Sequence, residues 1–138
     1  MRTVRIGGAA ALLAVILGCS GMQGMMPTGG FQTGADASRP ASFPMPEPPG
    51  GTLVTSGEIS VAGVSTATLS YELPAGDDSE VLDLYEKSMK DAGLGTERSD
   101  AAGSATLSGN SADGKTAWSA VISDGGGKRT LTLVVITR

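Results

Sequence analysis

Residues 66–73 alternate polar and apolar side chains without a break, placing Ala67, Leu69, Tyr71 and Leu73 on one face of a strand. This two-residue period recurs further along the chain between clusters of turn residues. It constrains the fold more than any other feature, because it calls for a sheet with one buried and one open face. A weaker strand, residues 53–61, precedes it through Ala62-Gly63, and Pro74 stops the ladder. Three more strands are predicted at 105–110, 115–123 and 129–137. Ser111-Ala112-Asp113-Gly114 and Asp124-Gly125-Gly126-Gly127 turn the chain between them. With four residues in each loop, Leu107, Trp118 and Leu133 form one cross-strand row, and Ala105, Ala120 and Leu131 the next. Thr106, Ser119, Thr130 and Thr132 then share the opposite, polar face.

Between the two groups of strands the period changes to that of a helix. Asp77 is placed as N-cap, with Glu80 three residues on, in a capping-box arrangement. Val81, Leu82, Leu84, Tyr85, Met89 and Ala92 fall on one arc, and the charged residues on the other. Gly93 suits the position just past the helix, with Leu94 folding back on Met89. The expectation is an α+β domain over residues 51–138. In it an antiparallel sheet of four to five strands, order ββαβββ, carries one amphipathic helix on its apolar face.

The first 50 residues have a different texture. Met1–Arg5 holds two positive charges, an apolar run follows from Ile6 to Leu17, and Gly18-Cys19-Ser20 ends it with small residues. That layout predicts a secretory signal over residues 1–18. The apolar run reaches about 18 Å as a helix, short of the roughly 30 Å of a bilayer core. Arg2 and Arg5 are not adjacent, so a twin-arginine signal is not supported. Removing them with the leader leaves eight basic against fourteen acidic side chains, a formal charge of −6. No basic cluster is present, so nucleic acid is a poor partner.

Residues 19–50 are rich in Gly, Met and Pro and show no apolar period, which predicts a disordered tether. Its Pro44-Met45-Pro46-Glu47-Pro48-Pro49 run reads as a stiffer, extended spacer rather than as a ligand for an aromatic groove. Met22, Met25 and Met26 offer thioether sulfur to a soft metal. With no His in the chain and one Cys, they are read instead as apolar residues near a membrane, and no cofactor or metal is expected.

Ile16-Leu17-Gly18-Cys19 resembles the lipobox of bacterial lipoproteins. The resemblance implies a diacylglyceryl group on the Cys19 sulfur, cleavage before Cys19 and acylation of the new amino group. The partner so implied is a membrane, held through lipid on Cys19; two or more fatty chains anchor stably where one does not. Ser20 after the cysteine resembles outer-membrane sorting where a cell has two membranes. Cys19 is also the only cysteine, so the fold stands without an internal disulfide. From residue 48 on, Pro48-Pro49-Gly50, Leu73-Pro74, Tyr85 and Gly93 resemble landmarks of small exported bacterial domains, with Leu94 where an aromatic is usual. That second resemblance implies an α+β domain and no particular activity.

Little in the sequence points to catalysis. General acid–base work recruits His most often, and the sole thiol is assigned to lipid. Asp77, Asp78 and Glu80 cluster where a helix start stabilises carboxylates anyway. Residues 109–116 match the phosphate-loop pattern G-x-x-x-x-G-K-[ST] at every fixed position, ending in Lys115-Thr116. The residues after Lys115 alternate as a strand, whereas the phosphate mechanism needs a helix there. A hairpin turn is expected, and no nucleotide.

The function so read is a non-enzymatic, lipid-anchored module of the cell envelope that binds a protein or an envelope polymer. The alternative is a small-ligand carrier with Tyr85, Leu107 and Trp118 lining a space between helix and sheet.

Overall fold

A computed structural model of the chain describes residues 28–101 and 103–138. One seven-stranded antiparallel sheet dominates it. Strands β1 (Thr28–Thr33), β2 (Thr52–Val61) and β3 (Val64–Leu73) precede the single α-helix among the described residues, α1 (Asp78–Asp91). After it come β4 (Gly95–Ala101), β5 (Ser104–Asn110), β6 (Thr116–Gly125) and β7 (Lys128–Thr137). The spatial order is β1-β2-β3-β7-β6-β5-β4. Helix α1 therefore carries the chain from the middle of the sheet to its far edge, and a meander returns it to β3.

The expected four to five strands are thus corrected to seven. Both additions are edge strands, which need no apolar face of their own. β4 is polar and charged (Gly95-Thr96-Glu97-Arg98-Ser99-Asp100-Ala101), and β1 contributes Phe31 between glycines and polar residues. Neither has the alternation that marked the other strands, because at an edge one neighbour and one row of backbone hydrogen bonds suffice.

The helix follows the local rules closely. The Asp77 carboxylate accepts from the Ser79 amide at 2.9 Å. At the other end Leu94 N–H reaches Met89 C=O, and Gly93 N–H reaches Lys90 C=O, both at 3.0 Å, which is the full Schellman pattern. Leu82, Tyr85 and Met89 point into the core, and α1 lies over β4, β5 and β6.

The residues expected to form a tether are corrected from Thr28 onward. β1 pairs with β2 from Thr28↔Ser60 to Thr33↔Thr55. The segment that follows crosses the sheet on the same side as the helix and buries Phe43, Met45 and Pro48. Five contacts hold it. Ser38 N–H donates to the buried Ser56 hydroxyl at 3.1 Å. The Arg39 guanidinium donates to the Tyr71 hydroxyl at 3.1 Å and to the Met45 carbonyl, and stacks 5.3 Å from the Phe43 ring centre. From the helix, the Tyr85 hydroxyl donates to Pro46 C=O at 2.9 Å. Burial, with a smaller push from Tyr71 and against the pull of Arg39, moves the Tyr85 phenol well above the ordinary tyrosine range. It remains a donor at any physiological pH.

Two expected registers also move. β6 and β7 turn on Gly126-Gly127 alone, with φ of +60° and +76°, so that Gly125 faces Lys128. Positive φ at both central positions is the type I′ geometry whose twist suits a hairpin, and two glycines adopt it freely. Between β5 and β6 the four-residue loop slides by one position, to 112–115, because Ser111 N–H bonds Thr116 C=O at 2.9 Å. Leu107 therefore sits in a row with Ala120 and Leu133, not Trp118; Ala105 aligns with Ile122 and Leu131; and Trp118 lies between Gly109 and Val135. Each shift is by an even number of residues, so every side chain keeps its expected face.

Two measurements check this account. Met45 is fully buried although it lies in a proline-rich loop. Met45→Ala should lower unfolding free energy by about 2–5 kcal/mol, as in a regular core, whereas a tether would register almost nothing in urea denaturation. Ala62 holds φ +50° in the two-residue turn between β2 and β3, a cost for an L-residue with a β-carbon. Ala62→Asn, giving the favoured Asn-Gly pair, should raise the thermal midpoint through about 0.5–1 kcal/mol of relieved strain.

Candidate functional site

Cys19, the expected lipid attachment point, lies outside the described residues, as do Met22, Met25 and Met26. Tyr85 and Leu107 are 0% exposed and Trp118 9%, and all three belong to the hydrophobic core. The space between helix and sheet is filled by these side chains, and none of them lines the surface clefts described next. Among the described residues no helix is long and apolar enough to cross a membrane, and no group of three metal-ligating side chains forms.

The acidic cluster at the helix start has a structural task on each residue but one. Asp77 caps the helix. Asp78 receives Arg129 Nε at 2.5 Å, and Arg129 Nη1 donates to Pro74 C=O at 2.9 Å. Arg129, with its side chain only 11% exposed, thereby pins the start of β7 to the turn before the helix. Its Nη2 is buried with no well-directed acceptor, although the Asp78 carboxylate stands within ion-pair distance. The mutual proximity of the two charges, more than ideal geometry, satisfies that nitrogen.

Two concavities meet at Arg129. One, about 400 Å³, is walled by Pro49, Leu73, Pro74, Val81 and Leu84, with Glu80 also lining it. The other, about 530 Å³, is polar: Glu72, Asp77, Asp78 and Asp124 face Lys128 and Arg129. Carboxylates outnumber cations there, which disfavours an anionic ligand. The first is the more ligand-like in character, being apolar with a polar rim.

Residues 109–116 close the β5–β6 hairpin. Asp113 accepts from the Ser111 hydroxyl at 2.6 Å and from the Lys115 amide at 3.0 Å, and the Ser111 hydroxyl accepts from the Thr116 amide at 3.0 Å. The Ser111, Gly114, Lys115 and Thr116 amides are donated within the hairpin, and Thr116 begins strand β6 instead of a helix.

Among the described residues, no helix or loop covers the second face of the sheet. Thr66, Thr68 and Ser70 of β3, Val134 and Ile136 of β7, and Ala117, Ser119 and Val121 of β6 lie on it, half-exposed. At the β1 edge Phe31 stands opposite Gly57, 57% exposed. A β-carbon on Gly57 would come within 2.1 Å of the Phe31 ring, so the ring lies directly over the glycine backbone. Phe31 thus replaces the side chain that Gly57 lacks, as aromatic residues do beside strand glycines.

Sequence reasoning missed Phe31, Arg39, Phe43 and Met45. One signal was present: both phenylalanines of the chain fall in the segment taken as a tether, where a pure spacer has no use for them.

The Asp113 contacts lead to a pH dependence. The Ser111 hydroxyl first, and the Lys115 amide second, hold the Asp113 carboxyl below its ordinary value of 3.8. With the folded value below the unfolded one, the contribution is complete above the unfolded value and disappears as pH falls through the folded one. In urea unfolding, wild type and Asp113→Ala should differ most near neutral pH and converge as the pH falls below the folded value of the Asp113 carboxyl. No protein-family model, curated protein or solved structure matches this chain.

Proposed function

We propose that the protein is a lipid-anchored, non-enzymatic module of the cell envelope, held at a membrane through Cys19 and binding an envelope protein or polymer. The observation that carries the reading is the order of the N-terminal segments. A charged start and a short apolar run end in Ile16-Leu17-Gly18-Cys19, and a folded sheet begins at Thr28. The apolar run is too short to anchor by spanning, so export with retention has to come from the cysteine. The site chemistry agrees with a binding role, since Asp77, Asp78 and Arg129 serve the fold and His is absent from the chain.

A small-ligand carrier is the second reading. The cleft walled by Leu73, Val81 and Leu84 favours it, although that cleft lies at the helix start and is not lined by Tyr85, Leu107 or Trp118.

The anchor is testable in cells fed radiolabelled palmitate. Wild type should take up label and sediment with membranes, and Cys19→Ala should do neither. Equal labelling of the two would remove the lipid anchor from the account.

A further inference from the structure

We infer that the uncovered face of the sheet, at the corner holding Phe31, Ile59, Val134 and Ile136, rests on the bilayer to which the chain is anchored. The inference deepens the proposed function and rests on its lipid at Cys19.

The first argument is reach. Strand β1 starts at Thr28, nine residues after Cys19. Whatever path those residues take, they span at most about 30 Å. The tether expected from the sequence, 32 residues from Cys19 to Gly50, would have let the domain stand well clear. A strand that already includes Thr28 removes that freedom and keeps the β1 edge within this reach of the membrane. Thr28 pairs with Ser60, beside the Gly29↔Ile59 pair, and the same end of the sheet holds Thr66↔Ile136. The apolar corner is therefore the part of the sheet nearest the anchor.

The second argument is charge. Strand alternation and register assign three charged strand residues to the uncovered face among the described residues: Glu72, Lys128 and Glu97. Glu72 and Lys128 pair with each other at 3.7 Å, at the end of the sheet away from Thr28. Glu97 lies on β4, the opposite edge strand from β1. Half of the other carboxylates, Asp77, Asp78, Glu80, Asp83, Glu86 and Asp91, belong to the helix and the turn before it. A domain of net charge −6 is repelled by an anionic bilayer on most of its surface, and this corner is where the repulsion is least.

The third argument is composition. Phe31 is the one large apolar side chain among the described residues that stands clearly exposed. Aromatic rings are enriched at the membrane–water boundary, and the hydroxyls of Thr66 and Thr68 beside the corner suit a headgroup layer. The chain on the lipid side of β1 holds the local concentration of bilayer high, so a weak contact is enough.

The test uses the full-length lipidated protein in vesicles of phosphatidylethanolamine and phosphatidylglycerol. With Cys19 acylated, an introduced cysteine is the only free thiol, so Thr68→Cys and Lys87→Cys can each carry a polarity-sensitive fluorophore. Thr68 lies on the uncovered face and Lys87 on the exposed side of α1. Intact mass is read first. Material with lipid should show a blue shift at the Thr68 label and quenching by spin-labelled lipid, with neither at Lys87. Lipidated material in which the two labels respond alike, or not at all, overturns the inference and leaves the anchor standing. A blue shift at Thr68 that persists in detergent and grows with protein concentration assigns the face to a second copy of the chain, which also overturns it. Bare polypeptide mass defeats the anchor itself, and the inference with it.

Discussion

One face of a seven-stranded sheet has to be kept from water, and the described residues include a single α-helix to do it. Strands lie about 4.8 Å apart, so the sheet is about 29 Å across, while a helix with its side chains is about 10–12 Å wide. Helix α1 covers β4 to β6 and can cover no more. The loop between β1 and β2 shields the other half, burying Phe43, Met45 and Pro48 against the sheet. Arg39 ties that loop to Tyr71 and to its own carbonyls, and Tyr85 ties it to the helix. Loop and helix thus form one layer, and the core under them is continuous.

Proline suits a loop with this task. An extended polyproline segment has no internal hydrogen bonds, so its carbonyls are free for partners such as Arg39 and Tyr85. Proline also brings no N–H that burial would leave unpaired. The same residues that suggested a spacer in the sequence make a cover that costs little in unsatisfied backbone.

The division of the surface follows from the same layering. Charged residues gather on the helix side, where Asp83 and Glu86 meet Arg98 of β4 at 2.7 and 3.3 Å. The other side of the sheet keeps hydroxyls, Phe31 and a few branched aliphatic side chains. With the proposed anchor at Cys19, nine residues before Thr28, that asymmetry would matter, because the domain would meet its surroundings close to the anchor.

Local patterns along the chain were enough to place the helix and its two ends, the faces of β3, β5, β6 and β7, and the hairpin of residues 109–116. Each of these is written in neighbours a few positions apart: an N-cap aspartate, a glycine past the last turn, a strict two-residue period. The edge strands β1 and β4, the pairing across Gly126-Gly127, and the burial of Phe43 and Met45 became visible in the folded chain alone. Those depend on partners far along the chain, Ser56, Tyr71 and Tyr85 among them. A sheet edge or a covering loop carries no period of its own; it takes its place from the surface it meets.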